Sequence, residues 1–301
     1  MTREQLSGHL SVAVAYTIFG LNIVFCKDIA AAGIVSPIAL FTLRALGASL
    51  LFWLLSLFIP REKVSGKDMG LIVLASLTGL FIPQLTFLQA MTVSAPVDTA
   101  VMGTLSPIFT MLFAFLFLKE PITWKKALGV AVSFGGVLLL IFNSVRSPGA
   151  VEHTTPAGFV LLLLNSLSFA LYLGAFRTLI SRYSVVTFMK WMFLVSLLVS
   201  IPLSVGDLAR TDFLSIPADI LWEIGYLILF ATFFAYFLIP FGQKRIRPTL
   251  VSMYSYLQPI IASVVSVWIG QDIVTWQKLL AGILVLAGVT LVNRSRAAAG
   301  G

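Results

Sequence analysis

Ten long apolar stretches dominate the sequence and constrain its fold more than any other feature. Each approaches or reaches the roughly 20 residues that a helix needs to cross the hydrocarbon core of a bilayer. None shows the period-two alternation that is typical of transmembrane β-strands. The stretches are Gly8–Cys26, Pro37–Ile59, Met69–Ala90, Ala95–Leu118, Lys126–Phe142, Ala157–Arg177, Val185–Val205, Ile220–Pro240, Thr249–Ile269 and Leu279–Val292. The sequence therefore predicts an all-α integral membrane protein with ten transmembrane helices.

The composition also favours a protein that lies in a lipid bilayer. Hydrophobic residues make up 59 % of the chain and charged residues 11 %, against about 45–50 % and about 25 % in soluble domains. So few charges cannot cover a water-facing surface, which argues against a soluble globule, a disordered chain or a coiled coil. The net charge of +8 comes from short basic clusters between apolar runs, not from the basic stripe of a nucleic-acid-binding protein. The lipid bilayer is therefore the expected partner, and nucleic acid is not.

The distribution of Lys and Arg predicts the orientation. Cytoplasmic loops of membrane proteins carry an excess of these residues. Fourteen of the 20 lie at the termini and in the alternate loops of the same side, four lie in the other loops, and Arg44 and Lys190 lie inside apolar stretches. Both termini are therefore predicted to be cytoplasmic in a multi-pass protein of the inner (plasma) membrane. The first stretch is too long for a signal peptide and is interpreted as a retained span.

An internal repeat links the two halves of the chain. Sliding the sequence by 152 residues superposes residues 96–139 on residues 248–291 without a gap. Generic apolar helices would match at Leu and Val, but here Pro, Trp and Gly match as well. The matched pairs include Pro107 and Pro259, Glu120 and Asp272, Trp124 and Trp276, and Gly136 and Gly288. We interpret the chain as two five-helix repeats, residues 1–148 and 149–301. Because five is odd, the second repeat must be inverted, a plan that recurs in secondary transporters.

Several motifs resemble those of a known family. Phe19-Gly20-Leu21-Asn22 resembles its first-span motif, with Phe where Trp is usual, and Phe41-Thr42-Leu43-Arg44-Ala45 resembles its second-span arginine motif. Leu118-Lys119-Glu120-Pro121-Ile122-Thr123 resembles the signature that follows the fourth span, and Gly270–Thr275 repeats it with Asp in place of the usual Glu. The family is the EamA-type branch of the drug/metabolite transporter (DMT) superfamily. The resemblance implies ten helices in two repeats, a central cavity between the halves, and export of metabolites or amino acids.

Two cations inside the apolar stretches are candidate substrate-binding residues. Arg44 lies about 10 Å along its helix from the outer end, and Lys190 about 8 Å along its helix from the cytoplasmic end. A guanidinium can bind a carboxylate through two hydrogen bonds. We hypothesise that the pair attracts a substrate carboxylate from opposite sides during transport. The alternatives are an arginine that braces neighbouring helices and a lysine that extends to the interface.

Neutral polar residues in the spans are further candidates for lining a cavity. They are Tyr16, Asn22, Gln84, Thr86, Asn165, Ser168, Tyr172, Tyr254, Tyr256 and Gln258, with Trp191 as an apolar wall. Any one of them could instead form a hydrogen bond between helices, typically about 0.6 kcal/mol. Asp98 is the candidate coupling-ion site, although an acid near a helix N-terminus is commonly a partner of the helix dipole.

Three prolines inside apolar stretches are candidate hinges. Pro83, Pro107 and Pro259 each remove a backbone donor and free a carbonyl. Pro107 and Pro259 are also equivalent in the repeat, so matched bends near two gates are expected. The alternative is a set of inherited kinks that do not move.

The sequence as a whole favours a secondary transporter, not an enzyme. It would move a small organic metabolite, an amino acid or a similar amphipathic solute, across the inner membrane by alternating access, and export is expected. An integral-membrane enzyme or a channel is the alternative, but neither a convergent catalytic set nor a pore ring is visible. No cofactor or metal is expected, because the chain lacks a phosphate-binding loop and has one cysteine and two histidines.

Overall fold

The protein is almost entirely helical. The computed structural model describes residues 2–94, 99, 102–142, 154–268 and 276–295. Ten helical segments are labelled in chain order: α1 Arg3–Ala32, α2 Pro37–Phe58, α3 Gly66–Val93, α4 Ser106–Leu118, α5 Trp124–Phe142, α6 Pro156–Ala175, α7 Val185–Arg210, α8 Ala218–Gln243, α9 Pro248–Met253 with Leu257–Trp268, and α10 Trp276–Asn293. A short helix, Arg177–Arg182, joins α6 to α7. No strand occurs in these ranges.

Six of the helices are long and apolar enough to cross a membrane. They are α1, α2, α3, α6, α7 and α8, of 20 to 30 residues. Helix α4 and the Leu279–Asn293 part of α10 are shorter apolar helices. The prediction of an all-helical, multi-pass membrane protein is confirmed. The predicted stretch Ala95–Leu118 is helical from Ser106 onward, and most of its beginning lies outside the described residues.

Side-chain caps fix where several helices begin. Each capping hydroxyl accepts a hydrogen bond from a backbone N–H that the helix itself leaves without a partner. Helix α1 begins with a full capping box between Thr2 and Gln5, and it ends at Gly33, whose φ of 65° is left-handed. Other hydroxyl caps are Ser36, Ser65, Thr123, Thr155 and Ser184. These local signals place the connections between helices at defined points of the chain.

Helices α3 and α8 share an irregularity. Each contains a π-helical segment, Leu77–Phe81 in α3 and Leu227–Phe234 in α8. The 152-residue offset of the sequence repeat places residues 77–81 on residues 229–233, inside the second segment. In α3 the segment directly precedes Pro83, which cannot donate to the regular helical ladder. Wider turns of this kind occur frequently at functional sites.

Helix α9 is divided, whereas the sequence predicts a continuous span over Thr249–Ile269. A 3-10 turn, Tyr254–Tyr256, separates its two parts, and Pro259 follows as the third residue of the second part. The break has a local reason, because a proline clashes with the carbonyl four residues earlier and cannot bond to it. The Tyr256 hydroxyl donates to the backbone oxygen of Thr104, 3.1 Å away, just before α4.

Helices α2 and α7 pack side by side in opposite directions. At one end the Ser36 hydroxyl donates to the Asp207 carboxylate at 2.6 Å. At the other end the rings of Trp53 and Trp191 meet edge to face, with centroids 5.4 Å apart. Residue numbers rise along one helix as they fall along the other, so the pair is antiparallel.

Helices α5 and α10 also form an antiparallel pair, and glycines bring the two backbones close together where the helices cross. The Ser133 hydroxyl donates to the backbone oxygen of Val285 at 3.1 Å. A Cβ added to Gly288 would lie 2.1 Å from Ser133 Oγ and 2.4 Å from the backbone oxygen of Gly129. Gly136 approaches Leu284, Ala281 and Val285 in the same way. Small residues therefore permit the contact, as they commonly do between membrane helices.

Two apolar clusters fill the bundle. The larger one contains the fully or nearly fully buried rings of Tyr16, Phe52, Tyr172, Phe193 and Tyr236. The smaller one surrounds Cys26 toward the end where α1 passes into α2. Tyr16, Tyr172 and Tyr236 therefore place hydroxyl groups in the middle of the bundle.

Candidate functional site

Arg44 lies inside the bundle rather than in the lipid. Its residue is 3 % exposed, and its Nε donates to the Thr232 hydroxyl at 2.8 Å. Thr232 belongs to the π-helical segment of α8 and donates in turn to the backbone oxygen of Leu227. Within the described ranges, no carboxylate comes within 4.0 Å of the Arg44 guanidinium. A buried arginine without a carboxylate is costly in a membrane, and such residues commonly mark substrate pathways.

Cys26 of α1 lies next to Arg44, and Asn22 lies next to Cys26. The buried Cys26 is within hydrogen-bonding and electrostatic range of the guanidinium. Its thiol donates to the Asn22 side-chain oxygen at 3.6 Å, and Asn22 is 6 % exposed. Two predicted site residues, Asn22 and Arg44, are therefore brought together through Cys26.

Four further polar side chains meet in the centre of the bundle. They come from four different helices: Tyr16 from α1, Gln84 from α3, Tyr172 from α6 and Tyr236 from α8. All are buried, with 0 to 7 % exposure. The three tyrosines lie within electrostatic range of one another, and Tyr236 also lies within range of Arg44 and beside Gln84. We call these four residues together with Arg44 the central polar cluster.

Several polar atoms of this cluster are not used by the protein itself. The hydroxyls of Tyr16 and Tyr172 and both amide atoms of Gln84 are buried and make no hydrogen bond of normal geometry in the described part of the chain, although the Tyr236 hydroxyl lies close enough to the Gln84 amide to interact with it. An unsatisfied buried polar group costs about 1–3 kcal/mol, and native proteins contain few of them. Three such side chains that converge from three helices thus offer hydrogen bonds to a bound solute.

Aromatic rings form a wall of the cluster. Phe19 packs edge to face against Tyr16 and Tyr236, with centroids 5.7 and 5.5 Å away, and Phe193 packs against Tyr236 at 5.8 Å. The Tyr172 ring lies directly on the π-helical segment of α3, because a Cβ at Gly79 would be 2.6 Å from its ring atoms. The cluster therefore combines one cation, neutral hydrogen-bonding groups and apolar aromatic surface.

The other predicted cations and aromatic residues lie elsewhere. The Lys190 ammonium sits over the ring of Trp53, 4.8 Å from its centroid, and Trp191 packs against the same ring. Trp53 is 37 % exposed and follows Arg44 by nine residues, about 13 Å along the helix axis. The predicted joint action of Arg44 and Lys190 therefore requires a solute to move between two separate positions.

The remaining predicted polar residues have other neighbours. Asn165 donates to the backbone oxygen of Pro83 at 2.7 Å, which joins α6 to α3. Tyr254 pairs with His9 Nδ1 at 2.8 Å. Gln258 is partly buried, with its backbone oxygen close to Gly20. The candidate coupling residue Asp98 lies outside the described residues.

All three predicted hinge prolines occupy irregular points of their helices. Pro83 follows the π-helical segment of α3, Pro107 is the second residue of α4 after the turn at Thr104, and Pro259 follows the 3-10 turn of α9. Whether the helices move at these points remains a prediction.

Two residues of the site were missed from the sequence, Tyr236 and Thr232. The repeat carries a signal for one of them, because an offset of 152 places Tyr236 on Gln84. Thr232 has no comparable signal, since its role depends on the π-helical turn that directs its hydroxyl toward Arg44.

A polar network closes one end of the bundle. The Asp68 carboxylate of α3 accepts hydrogen bonds from Arg182 at 2.8 Å and from the Tyr183 hydroxyl at 2.7 Å. The Lys244 ammonium donates to the backbone oxygen of Tyr183. We call Glu62, Asp68, Arg182, Tyr183, Ser184 and Lys244 the latch. It joins the connection between α2 and α3 to segments of the second half.

Glu62 completes the latch at the start of α7. Its carboxylate accepts hydrogen bonds from the Ser184 backbone N–H at 2.9 and 3.1 Å. Partial burial acts to raise the pKa of Glu62, but hydrogen bonds from Thr187 and Ser184 outweigh burial and hold this pKa below its ordinary value. Burial likewise lowers the pKa of Lys244, which the neighbouring Glu62 carboxylate partly opposes.

The opposite end of the bundle contains a cleft of about 120 Å³. It lies where α1 passes into α2, beside the end of α3. Its lining includes Cys26, Val35, Ser36, Leu40 and Thr92. Cys26 also approaches Arg44, so this residue lies between the cleft and the Arg44 side of the central polar cluster, at the end of the bundle opposite the latch.

A sequence model described as the EamA-like transporter family matches the chain twice, over residues 6–142 and 156–294. An "Uncharacterized transporter" of Archaeoglobus fulgidus is 24 % identical over 95 % of this chain and 98 % of its own. The "Uncharacterized transporter YdfC" of Bacillus subtilis is 29 % identical over 84 % of this chain and 81 % of its own.

Two further comparisons concern a named activity and the fold. A "Probable terminal-alkyne amino-acid exporter" of Streptantibioticus cattleyicolor is 28 % identical over 77 % of this chain and 76 % of its own. A solved structure described as "Crystal structure of protein" superposes with a TM-score of 0.73, covers 96 % of this chain and 95 % of its own, and is 16 % identical. That likeness concerns the fold alone.

Proposed function

This chain belongs to the EamA-like transporter family, and on that premise we propose that it is a secondary transporter that moves a small organic metabolite by alternating access. The solute is an amino acid or a similar amphipathic compound, its carboxylate binds Arg44, and net transport is export across the inner membrane. The observation that carries the proposal is the central polar cluster, where a buried guanidinium lies with polar side chains of four helices, three of which make no hydrogen bond of normal geometry in the described residues.

Two inverted five-helix repeats, residues 1–148 and 149–301, would supply the mechanism. Inverted repeats require equivalent helices to run in opposite directions, whereas parallel repeats require the same direction. The antiparallel pairs α2 with α7 and α5 with α10 are equivalent at an offset of 152. In addition, Ser133 bonds to Val285, its own equivalent, which is expected near a twofold axis. These observations support the inverted arrangement of a ten-helix membrane domain, and the distribution of Lys and Arg favours cytoplasmic termini.

The two ends of the bundle suggest how access alternates. The latch holds the two halves together at one end, which the distribution of Lys and Arg assigns to the cytoplasm. The cleft lies at the other end. Opening of the latch and closure of the cleft would expose the same central site to the cytoplasm. In this scheme bending occurs at Pro83, Pro107 and Pro259, and Asp98 is the candidate residue for a coupling ion.

Export is supported by one relative. The protein of Streptantibioticus cattleyicolor is named a probable amino-acid exporter, and its similarity extends over 238 residues of the alignment. For the present chain, the proposal of export therefore rests on similarity to this relative, whereas the proposal that a carboxylate binds rests on Arg44 itself.

Counterflow in proteoliposomes tests the proposal. Purified protein is reconstituted with unlabelled carboxylates inside, and accumulation of the labelled compound is followed. We expect saturable accumulation that Arg44→Gln abolishes. Thr249→Ala is a matched control, since that buried hydroxyl has no described hydrogen bond and lies outside the central polar cluster. Accumulation that is equal in Arg44→Gln, unitary currents, or chemical conversion of the solute would overturn the proposal.

A further inference from the structure

We propose that the central site takes a small monocarboxylate whose remaining polar groups are neutral, in preference to a zwitterionic amino acid or a cation. This inference rests on the proposed function and deepens it, because it names the class of substrate. It depends on the charges and hydrogen-bonding groups that surround the unpartnered atoms of the central polar cluster.

The cluster offers one positive charge and no negative one in the described part of the chain. Arg44 is its cation, and the other members are phenols and an amide. A carboxylate bound to the guanidinium would satisfy a buried charge for which the described residues provide no counter-ion. Binding of one monoanion thus neutralises the site.

The neutral members of the central polar cluster suit a hydroxyl, carbonyl or amide of the solute. A phenol both donates and accepts a hydrogen bond, and the Gln84 amide provides an acceptor oxygen and a donor nitrogen. The hydroxyls of Tyr16 and Tyr172 and both Gln84 atoms are buried and unpartnered in the described residues. Each can therefore bond to a neutral polar group without a change of protonation.

An ammonium group would be disfavoured in the same position. Burial of a charge is costly unless the charge is paired, and a zwitterion would need a carboxylate close to the Arg44 site. Glu223 lies within electrostatic range of Cys26, but no ion pair joins its carboxylate to Arg44 in the described residues. Its own charged neighbours are Asp28 and Asp219 at the end of the bundle, not Arg44.

The walls of the cluster favour an apolar body on the solute. Phe19 and Phe193 present ring edges and faces around Tyr236, at centroid distances of 5.5 and 5.8 Å. Such surfaces stabilise a hydrocarbon or aromatic group through burial. The expected substrate therefore resembles a 2-hydroxy or 2-oxo acid with an apolar side chain.

Matched pairs of compounds test this inference. Each pair shares one carbon skeleton and differs in a hydroxyl against an ammonium: lactate and alanine, 2-hydroxyisocaproate and leucine, 3-phenyllactate and phenylalanine. Binding to purified full-length protein is measured by thermal shift and calorimetry, and transport by counterflow. We expect the hydroxy acid of the best pair to bind at least tenfold more tightly than its amino acid. The corresponding amines without a carboxylate should not bind.

Two variants distinguish direct contact with the substrate from a structural role, because each is expected to change the affinities for two acids in its own way. Tyr172→Phe removes a hydroxyl but keeps the ring against Gly79, so it should weaken 3-phenyllactate more than 3-phenylpropionate, which lacks the hydroxyl. Arg44→Gln should weaken both acids equally.

The outcomes separate this inference from the proposed function. If an amino acid binds and is transported as well as its hydroxy acid, the substrate class is wrong but the transporter remains. Equal weakening of both acids by Tyr172→Phe also contradicts the inference. If no carboxylate of any pair is bound or transported, the proposed function fails and the substrate class fails with it.

Discussion

The latch should control which side of the membrane reaches the central site, and Asp68→Asn is the variant that tests this. Asp68 belongs to the first half of the chain, while Arg182 and Tyr183, which donate to its carboxylate, belong to the second. Asparagine has nearly the same shape and keeps one acceptor oxygen, so the variant removes charge rather than packing. We expect the latch to open more often.

The magnitude follows from the two contacts. The Arg182 side chain is 54 % exposed, so its ion pair contributes about 0.2–1 kcal/mol. The hydrogen bond from the Tyr183 hydroxyl to a charged carboxylate contributes about 1.5–3 kcal/mol, and the remaining amide oxygen retains part of it. The Asp68 charge also interacts favourably with the N-terminus of α3. This interaction is the same with the latch open or closed, so it does not contribute to the free-energy difference between the two states. A net loss of about 2 kcal/mol corresponds to a roughly 30-fold shift toward the open latch.

Cysteine accessibility measures this shift. A Gln84→Cys substitution in a Cys26→Ser background places one thiol in the central polar cluster. The labelling rate with a membrane-impermeant maleimide is measured from the latch side of oriented vesicles. Asp68→Asn should raise this rate about 30-fold.

Asp212→Asn is the matched control, because the Asp212 carboxylate accepts the Leu214 backbone N–H within its own loop at the other end of the bundle. This control should leave the rate from the latch side unchanged. An unchanged rate in Asp68→Asn, or an equal rise in Asp212→Asn, would refute the reasoning.

Three further predictions address the site, the packing and the pH dependence. Arg44→Gln should weaken binding of a carboxylate about 10- to 100-fold by calorimetry, since a hydrogen-bonded charged group contributes about 1.5–3 kcal/mol; unchanged affinity would exclude Arg44 as its ligand. Gly288→Ala should lower the free energy of unfolding by about 1–3 kcal/mol, because its Cβ would lie 2.1 Å from Ser133 Oγ. A Cβ at Gly282 on the same helix meets open space, so Gly282→Ala should leave the free energy of unfolding unchanged. Equal melting temperatures of the two variants would contradict the close packing of α5 against α10 at Gly288. The lowered pKa of Glu62 means that its contribution to the latch is complete above its ordinary value of 4.5 and is lost as the pH falls through the lower value in the folded protein. Labelling from the latch side should therefore rise in strongly acidic buffer. Glu62→Gln should reduce that rise without removing it, because the Asp68 carboxylate of the same latch is also protonated in such buffer and then accepts the hydrogen bonds from Arg182 and Tyr183 less strongly.

Much of the architecture could be predicted from the sequence, because the physics involved is local. Apolar length predicts membrane helices, and six of the ten are confirmed by length and composition. Hydroxyl caps such as Ser36 and Ser184 determine where helices start. The repeat could be found because equivalent positions such as Gly136 and Gly288 perform the same packing task in both halves.

The site was harder to predict, because it depends on distant contacts and on small departures from regular helices. A π-helical segment changes which residues face the interior, and this is how Thr232 reaches Arg44. Likewise, Asn165 and Gln84 cannot be distinguished from the sequence, because both are amide side chains within apolar stretches. In the structure Asn165 bonds to a backbone oxygen, while the Gln84 amide has no partner in the described ranges.

Labelling of the Gln84→Cys thiol from both faces of oriented vesicles tests most directly whether one central site serves both sides of the membrane. We predict that the thiol reacts from either face, and that Asp68→Asn raises the rate from the latch side while it lowers the rate from the cleft side. A thiol that reacts from one face alone, or rates that rise together on both faces, would contradict alternating access through the central polar cluster.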